Sequence, residues 1–401
     1  MAAGLVVTQL KAQLDTAQRD AHSALITQPN VALVYATDAY APHAQALLDH
    51  LRQSLPTIAH WCGTVGVGVC SSGVEYFDEP GLVVMLCEWP QGSFQVFNGI
   101  SPLGQQAPKG FVPQAALVHA DPMTPMLGDL IQDVADLTTT GELFGGLCAS
   151  RHGAVQFAVN GWDQRPTALS HSGVFEGGLS GLAFGQGVGM VCRVTQGCQP
   201  LGPTREITRA SGHVVEELGG RPALEVLMDE LGVTLDDPER AVAQVRRTLV
   251  GVSRAALASP SVATAFGEEV MVRHIIGLDP GRDAVAIADE VEAGMQLSFC
   301  HRDVAAARAD LRRMATQVRD VVESLAATPA GEVSAAIRGA VYVSCSGRGG
   351  PHFGAPHAEL HILREALGDI PLVGFFAAGE IAHRQIHGYT GVLTVFISGV
   401  E

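Results

Sequence analysis

Along this chain short apolar runs are followed by stretches with helical spacing, and the order of these pieces recurs. Residues 31–36 (VALVYA) form an apolar run between Pro29 and Thr37-Asp38, which predicts a buried strand. A helix is expected from Pro42 to Leu55, opened by Pro42 and ended by Pro56, with two more strands at 61–69 and 81–87. Near the other end the order returns. An apolar strand at 340–345 (AVYVSC) leads into a glycine-rich loop carrying Arg348, then a helix over 357–369, then a second apolar run reaching Gly374 to Ile381, and a last strand from Val392 to Val400.

The two stretches match in detail. Pro42-His43-Ala44 opens one helix as Pro356-His357-Ala358 opens the other, Gly63 corresponds to Gly374, and Gly81-Leu-Val-Val corresponds to Gly391-Val-Leu-Thr. A weaker third copy starts at Ala115–Ala120, continues through a helix near Met126 to Leu137, reaches Leu143–Ser150, and ends in strands at 154–160 and 179–184. Glycines recur after the second strand of each copy, which favours duplication of a β-α-β-β block. Inside a strand such a glycine more often marks a bulge or a close approach of backbones than a ligand contact.

An amphipathic lead-in helix is expected over residues 5–25, and a further strand and hairpin over 185–209. At Gly219 the texture changes to a helix (223–231), a charged alanine-rich stretch (238–258), strands at 269–276 and 295–299, and a long amphipathic helix over 303–325. The expected fold class is therefore α/β (α+β). Two domains built from repeated β-α-β-β blocks with mixed sheets would meet along a cleft: a helix in 1–29, one module over 30–218 and a second over 219–401.

Composition narrows the function classes. The 401 residues are 47% hydrophobic, and a net charge of −16 without a basic run disfavours nucleic acid as partner. No run is long enough to cross a bilayer, so a cytoplasmic protein with no membrane partner is expected. The eight cysteines contain no C-x-x-C pair and sit in apolar runs, as buried thiols of a reducing compartment do. No nucleotide loop, nucleophile elbow or dinucleotide fingerprint occurs, and no cofactor is expected. The only lysines, Lys11 and Lys109, supply Schiff-base chemistry poorly.

Cys345 and Arg348 after the strand, Glu359 in the helix, Pro371 to Ile381 with Gly379-Glu380, and the turn Gly388-Tyr389-Thr390 make the C-terminal stretch similar to the FIST family (F-box and intracellular signal transduction). The N-terminal module resembles the same family over 31 to about 215, with Leu143–Leu147 and Gly173-Val174 as its marks. The chain departs from eukaryotic members in having no F-box helices before the first strand, and from many bacterial members in having no kinase, cyclase or methyl-acceptor segment. The resemblance implies a cytoplasmic sensory module for small ligands such as amino acids. Such a sensor, if it carries no output segment of its own, is expected to pass its signal to a separate partner or through a homo-oligomer.

The residues themselves suggest where a ligand would sit. Arg348, among Gly347 and Gly349, can hold a carboxylate with two hydrogen bonds. Glu380, after Gly379, can accept from an ammonium, or pair with Arg384 if the segment is helical. Phe375 and Phe376 are candidates for an apolar wall. One alternative has Cys345, with His352, His357 or His361 as base, as nucleophile of a hydrolase or transferase, and another is a protein-interaction scaffold. His357 and His361 lie one helical turn apart, but no third ligand is marked, so no metal is expected.

Overall fold

The computed structural model describes residues 2–19, 28–162, 173–234, 237–254, 270–325 and 333–397. The chain forms two compact units, one of Met1–Val194 with Arg312–Glu401, the other of Thr195–Leu311. The position near Gly219 where the sequence texture changes thus lies inside the second unit.

All three β-α-β-β repeats belong to the first unit. Repeat I consists of a lead strand (Val31–Thr37), a helix (Ala44–Ser54), a second strand (His60–Gly66), a hairpin (Gly68–Ser71 and Val74–Phe77) and a closing strand (Leu82–Cys87). In repeat II these are Ala115–Ala120, Leu127–Asp136, Glu142–Leu147, Val155–Val159 with Val174–Glu176, and Leu179–Phe184. In repeat III they are Ile337–Cys345, Ala358–Leu367, Leu372–Ala377, Glu380–Ala382 with Gln385–His387, and Thr390–Ile397. In every repeat the second strand runs parallel to the lead strand on one side and the closing strand antiparallel on the other. The third copy is as regular as the others.

The hairpins are exchanged in a cycle. That of repeat I extends the sheet of repeat III, that of repeat II extends repeat I, and that of repeat III extends repeat II. Alternate residues of each lead strand enter different cores. Ala32, Val34 and Ala36 pack with Leu47, Leu48 and Leu51 of their helix, while Leu33 and Tyr35 join Leu117, Val341, Val343 and Phe375 on the inner side. With both faces buried, the strands read as continuous apolar runs.

The recurring glycines have a steric cause. Gly63, Gly145 and Gly374 stand opposite Val34, Val118 and Tyr342. A Cβ on them would lie 1.8, 2.0 and 1.7 Å from the carbonyl oxygens of those residues. Gly374→Ala should therefore destabilise the fold by about 1–3 kcal/mol, the usual cost of overpacking. An unchanged denaturant midpoint would refute this.

The registers also correct one expectation. Leu82 pairs with Ala36 and Gly391 with Ser344, so the closing strands correspond one residue away from the Gly81–Gly391 match. The last strand pairs on its outer side with Gly189–Gln196; residues 398–400 lie outside those described. The lead-in helix spans Ala2–Arg19, and the remainder expected to residue 25 falls outside the description.

The second unit is built differently. Strands Thr248–Ser253, Met271–Asp279, Ala284–Ile287, Val214–Leu218, Arg205–Ser211 and Gln296–Arg302 pair in that order, and the last pairs back onto the first. Helix Ala223–Leu231 packs Leu224 and Leu227 into the core of this ring beside Ile207, Val250 and Phe299. Among the described residues no helix is long and apolar enough to cross a membrane.

Candidate functional site

Repeat III differs from its siblings beneath its helix. The outer-face positions that hold Val34 and Ala36 in repeat I, and Val118 and Ala120 in repeat II, hold Tyr342 and Ser344 in repeat III. Both face Glu359, in the first turn of the helix. The Tyr342 hydroxyl donates to Glu359 Oε1 at 2.5 Å, and the Ser344 hydroxyl lies 3.2 and 3.0 Å from Oε1 and Oε2. Arg348, ending a 3-10 turn over Ser346–Arg348, donates to Oε1 from Nε at 2.9 Å and from Nη2 at 2.7 Å. Its Nη1 faces the Tyr389 carbonyl at 3.5 Å, and its guanidinium lies 5.1 Å from the centre of the Phe353 ring.

Arg348 is only 1% exposed and Glu359 2%. Burial disfavours the guanidinium charge, but Glu359 foremost, and Glu380, outweigh that and keep it protonated. Burial, with Glu359 next, likewise holds the Tyr342 phenol protonated, so it is a donor. Arg348 is thus part of the interior, and the carboxylate it holds is that of Glu359.

A second polar group lies at the same strand ends. Glu380 opens the repeat III hairpin and is fully buried. Its Oε2 accepts from the Thr390 backbone N–H at 3.1 Å and hydroxyl at 2.7 Å, while Oε1 has no hydrogen-bond partner. Burial pushes this carboxyl up to about 7, against the opposing pull of Thr390, Arg348 and the Cys345 thiol. His387 stands directly across the hairpin from it. Arg384 instead pairs with Asp136, because the segment is a hairpin and not a helix.

Cys345 occupies a seat with siblings. Counting three residues on from Val34, Val118 and Tyr342 gives Thr37, Asp121 and Cys345. Thr37 Oγ1 accepts from the Gly81 N–H at 2.9 Å, and Asp121 Oδ2 from the Gly177 N–H at 3.2 Å. The Cys345 sulfur faces the N–H groups of Gly347 and Tyr389. In each repeat this residue fixes the backbone that precedes the closing strand. Burial, then Glu380, pushes the Cys345 thiol up to about 12. Iodoacetamide at neutral pH should accordingly leave Cys345 of the native protein unlabelled while labelling it after denaturation. Rapid labelling of the native thiol would restore the nucleophile reading.

The remaining candidates are dispersed. Phe375 stacks on Tyr35 at 5.2 Å on the inner face, whereas Phe376 meets Phe77 edge-on at 5.0 Å, so the two do not line one wall. A Cβ on Gly349 would lie 2.2 Å from the Phe77 ring, and one on Gly379 2.9 Å from Ile386, so protein side chains fill the space beside both. His357 caps the helix and exchanges hydrogen bonds with Glu75: its N–H donates to Glu75 Oε1 and its Nδ1 accepts from the Glu75 N–H, both at 3.1 Å. His361 is exposed, its ring 6.2 Å from that of His357. Among the described residues no group of three or more His, Cys, Asp or Glu side chains could hold a metal ion.

Residues 30–221 match the FIST N domain and residues 223–383 the FIST C domain. The chain belongs to the FIST family. FIST domains are sensory domains of signal transduction, and Arg348, Glu359 and Glu380 all fall within the FIST C match. The FIST chain is 34% identical over 229 residues to an uncharacterized protein of Mycobacterium tuberculosis, covering 56% of this chain and 55% of that protein. It is also 34% identical over 212 residues to an uncharacterized protein of Mycobacterium bovis, covering 52% of this chain and 50% of that protein. The chain spans about half the length of these curated relatives.

Proposed function

We propose that this FIST chain senses a small amino acid or carboxylate at the strand ends of repeat III, in the cytoplasm, and passes the signal to a separate chain or through a homo-oligomer. The observation that carries the reading is the Oε1 atom of Glu380, a buried acceptor without a hydrogen-bond partner next to a buried arginine. Buried polar groups are nearly always paired, and an ammonium group is the natural complement of a carboxylate. In this reading Glu380 takes the ammonium and Arg348 the carboxylate. The backbone at Gly347, Gly349 and Gly379 carries the two groups.

A thermal-shift screen against metabolites identifies the ligand, and calorimetry on variants tests the site. Charge-assisted hydrogen bonds contribute roughly 1.5–3 kcal/mol, so Glu380→Gln should weaken amino-acid binding by about 10- to 150-fold. Simple carboxylic acids should be affected much less, since the substitution removes only the charge that faces the ammonium. Equal affinity of wild type and variant for an amino acid would exclude Glu380 from the site.

A further inference from the structure

The surroundings of Glu359 are those of a bound ligand. Its carboxylate receives an arginine fork, a phenol and a serine hydroxyl, a set of donors suited to a free carboxylate. The fold does not require this arrangement, because in repeat I aliphatic side chains join the same strand face to the helix. Nor is a buried ion pair a good source of stability, since apolar residues of similar volume usually serve as well or better. The helix bearing Glu359 is capped by His357. That helix is tied at its start to the repeat I hairpin through the Glu75–His357 exchange.

We propose that Tyr342, Ser344 and Arg348 form a carboxylate receptor occupied from within the chain by Glu359, and that a free carboxylate ligand takes the place of Glu359. This rests on the sensory reading above and gives it an output: the helix over Ala358–Leu367, losing its anchor on the sheet, reports that the site is filled. Binding is then a competition between two carboxylates for one set of donors.

Acetate, the fragment that distinguishes glutamate from alanine, is the probe. Glu359→Gln removes the charge of the internal competitor, so calorimetry should show acetate binding to it about tenfold or more tightly than to wild type. Adding Arg348→Met should abolish that gain. If Glu359→Gln does not fold, Glu359→Ala refolded in acetate and in chloride at equal ionic strength provides the measurement, with a saturable rise of melting temperature in acetate alone. In wild type, acetate at concentrations that saturate Glu359→Gln should speed hydrogen exchange at the amides of 359–367, which an ion pair serving only the fold would not do. Unchanged acetate affinity in Glu359→Gln, no acetate-specific rise in Glu359→Ala, or unchanged exchange in wild type would overturn the proposal. The two readings fail separately. A metabolite whose affinity ignores Glu359→Gln leaves sensing intact and removes the receptor, whereas acetate binding to the variant, with no metabolite found for wild type, does the reverse.

Discussion

Arg348→Ala should lower the stability of the fold by about 3–5 kcal/mol, the range expected when one member of a buried ion pair is removed. The cost arises from what remains. Glu359, 2% exposed, would be left with only the Tyr342 and Ser344 hydroxyls as partners. On the sequence alone this substitution would be expected to spare the fold, since a loop arginine supports little core. The structure reverses that expectation, because Arg348 is 1% exposed. Any loss of ligand affinity in Arg348→Ala must therefore be read beside its stability. The paired change Arg348→Met/Glu359→Leu should recover most of the loss, since it removes both charges and fills similar volume. Urea unfolding of the wild type, Arg348→Met, Glu359→Leu and the pair gives the coupling directly. A paired variant no more stable than Arg348→Ala would show that the cost does not come from the stranded carboxylate.

Why Arg348 could be misjudged, and Glu359 recognised without its partners, follows from strand geometry. Side chains on a strand alternate between faces, so a polar residue in an apolar run has meaning only once the register is known. Tyr342 and Ser344, two apart in AVYVSC, were a legible sign of one polar face. Nothing in the sequence told that this face lies under a helix bearing a glutamate. The same alternation separates Phe375 from Phe376, which as neighbours on one strand cannot share a pocket wall. The repeats themselves were legible, because proline before the helix and glycine on the second strand answer to local demands: a helix start, and a carbonyl less than 2.1 Å from a would-be Cβ. The exchange of hairpins was not, since Gly68–Ser71 reads the same whether it pairs with its own repeat or with Val373–Phe375 of another. Nor could the sequence show that residues 195–311 interrupt one unit, because that depends on which strands meet after both flanks are made.

Between pH 6.5 and 4 His119 alone should remove about 3 kcal/mol of stability. It lies on the lead strand of repeat II, fully buried, with Nε2 3.2 Å from the Tyr35 hydroxyl and Nδ1 3.7 Å from the Cys62 sulfur. Burial lowers its pKa to about 3, so the folded protein keeps the imidazole neutral while the unfolded chain takes up a proton near the ordinary 6.5. Acid therefore favours the unfolded state throughout that window. His60, lowered by burial to about 4, acts in the same direction. Glu380 opposes them: raised to about 7 from 4.5, it binds its proton more tightly in the folded state, so its contribution grows as pH falls from 7 to 4.5 and offsets roughly one histidine. Two substitutions separate these effects. Glu380→Gln should steepen the loss of stability on acidification. Tyr35→Phe/His119→Phe, which replaces a hydrogen-bonded pair by apolar rings of similar shape, should be nearly neutral at pH 7 and should flatten the acid limb by about 3 kcal/mol between pH 6.5 and 4. Urea midpoints measured at both pH values decide the matter, and an acid limb in the double variant as steep as that of wild type would mean that His119 is not the group whose protonation drives acid unfolding.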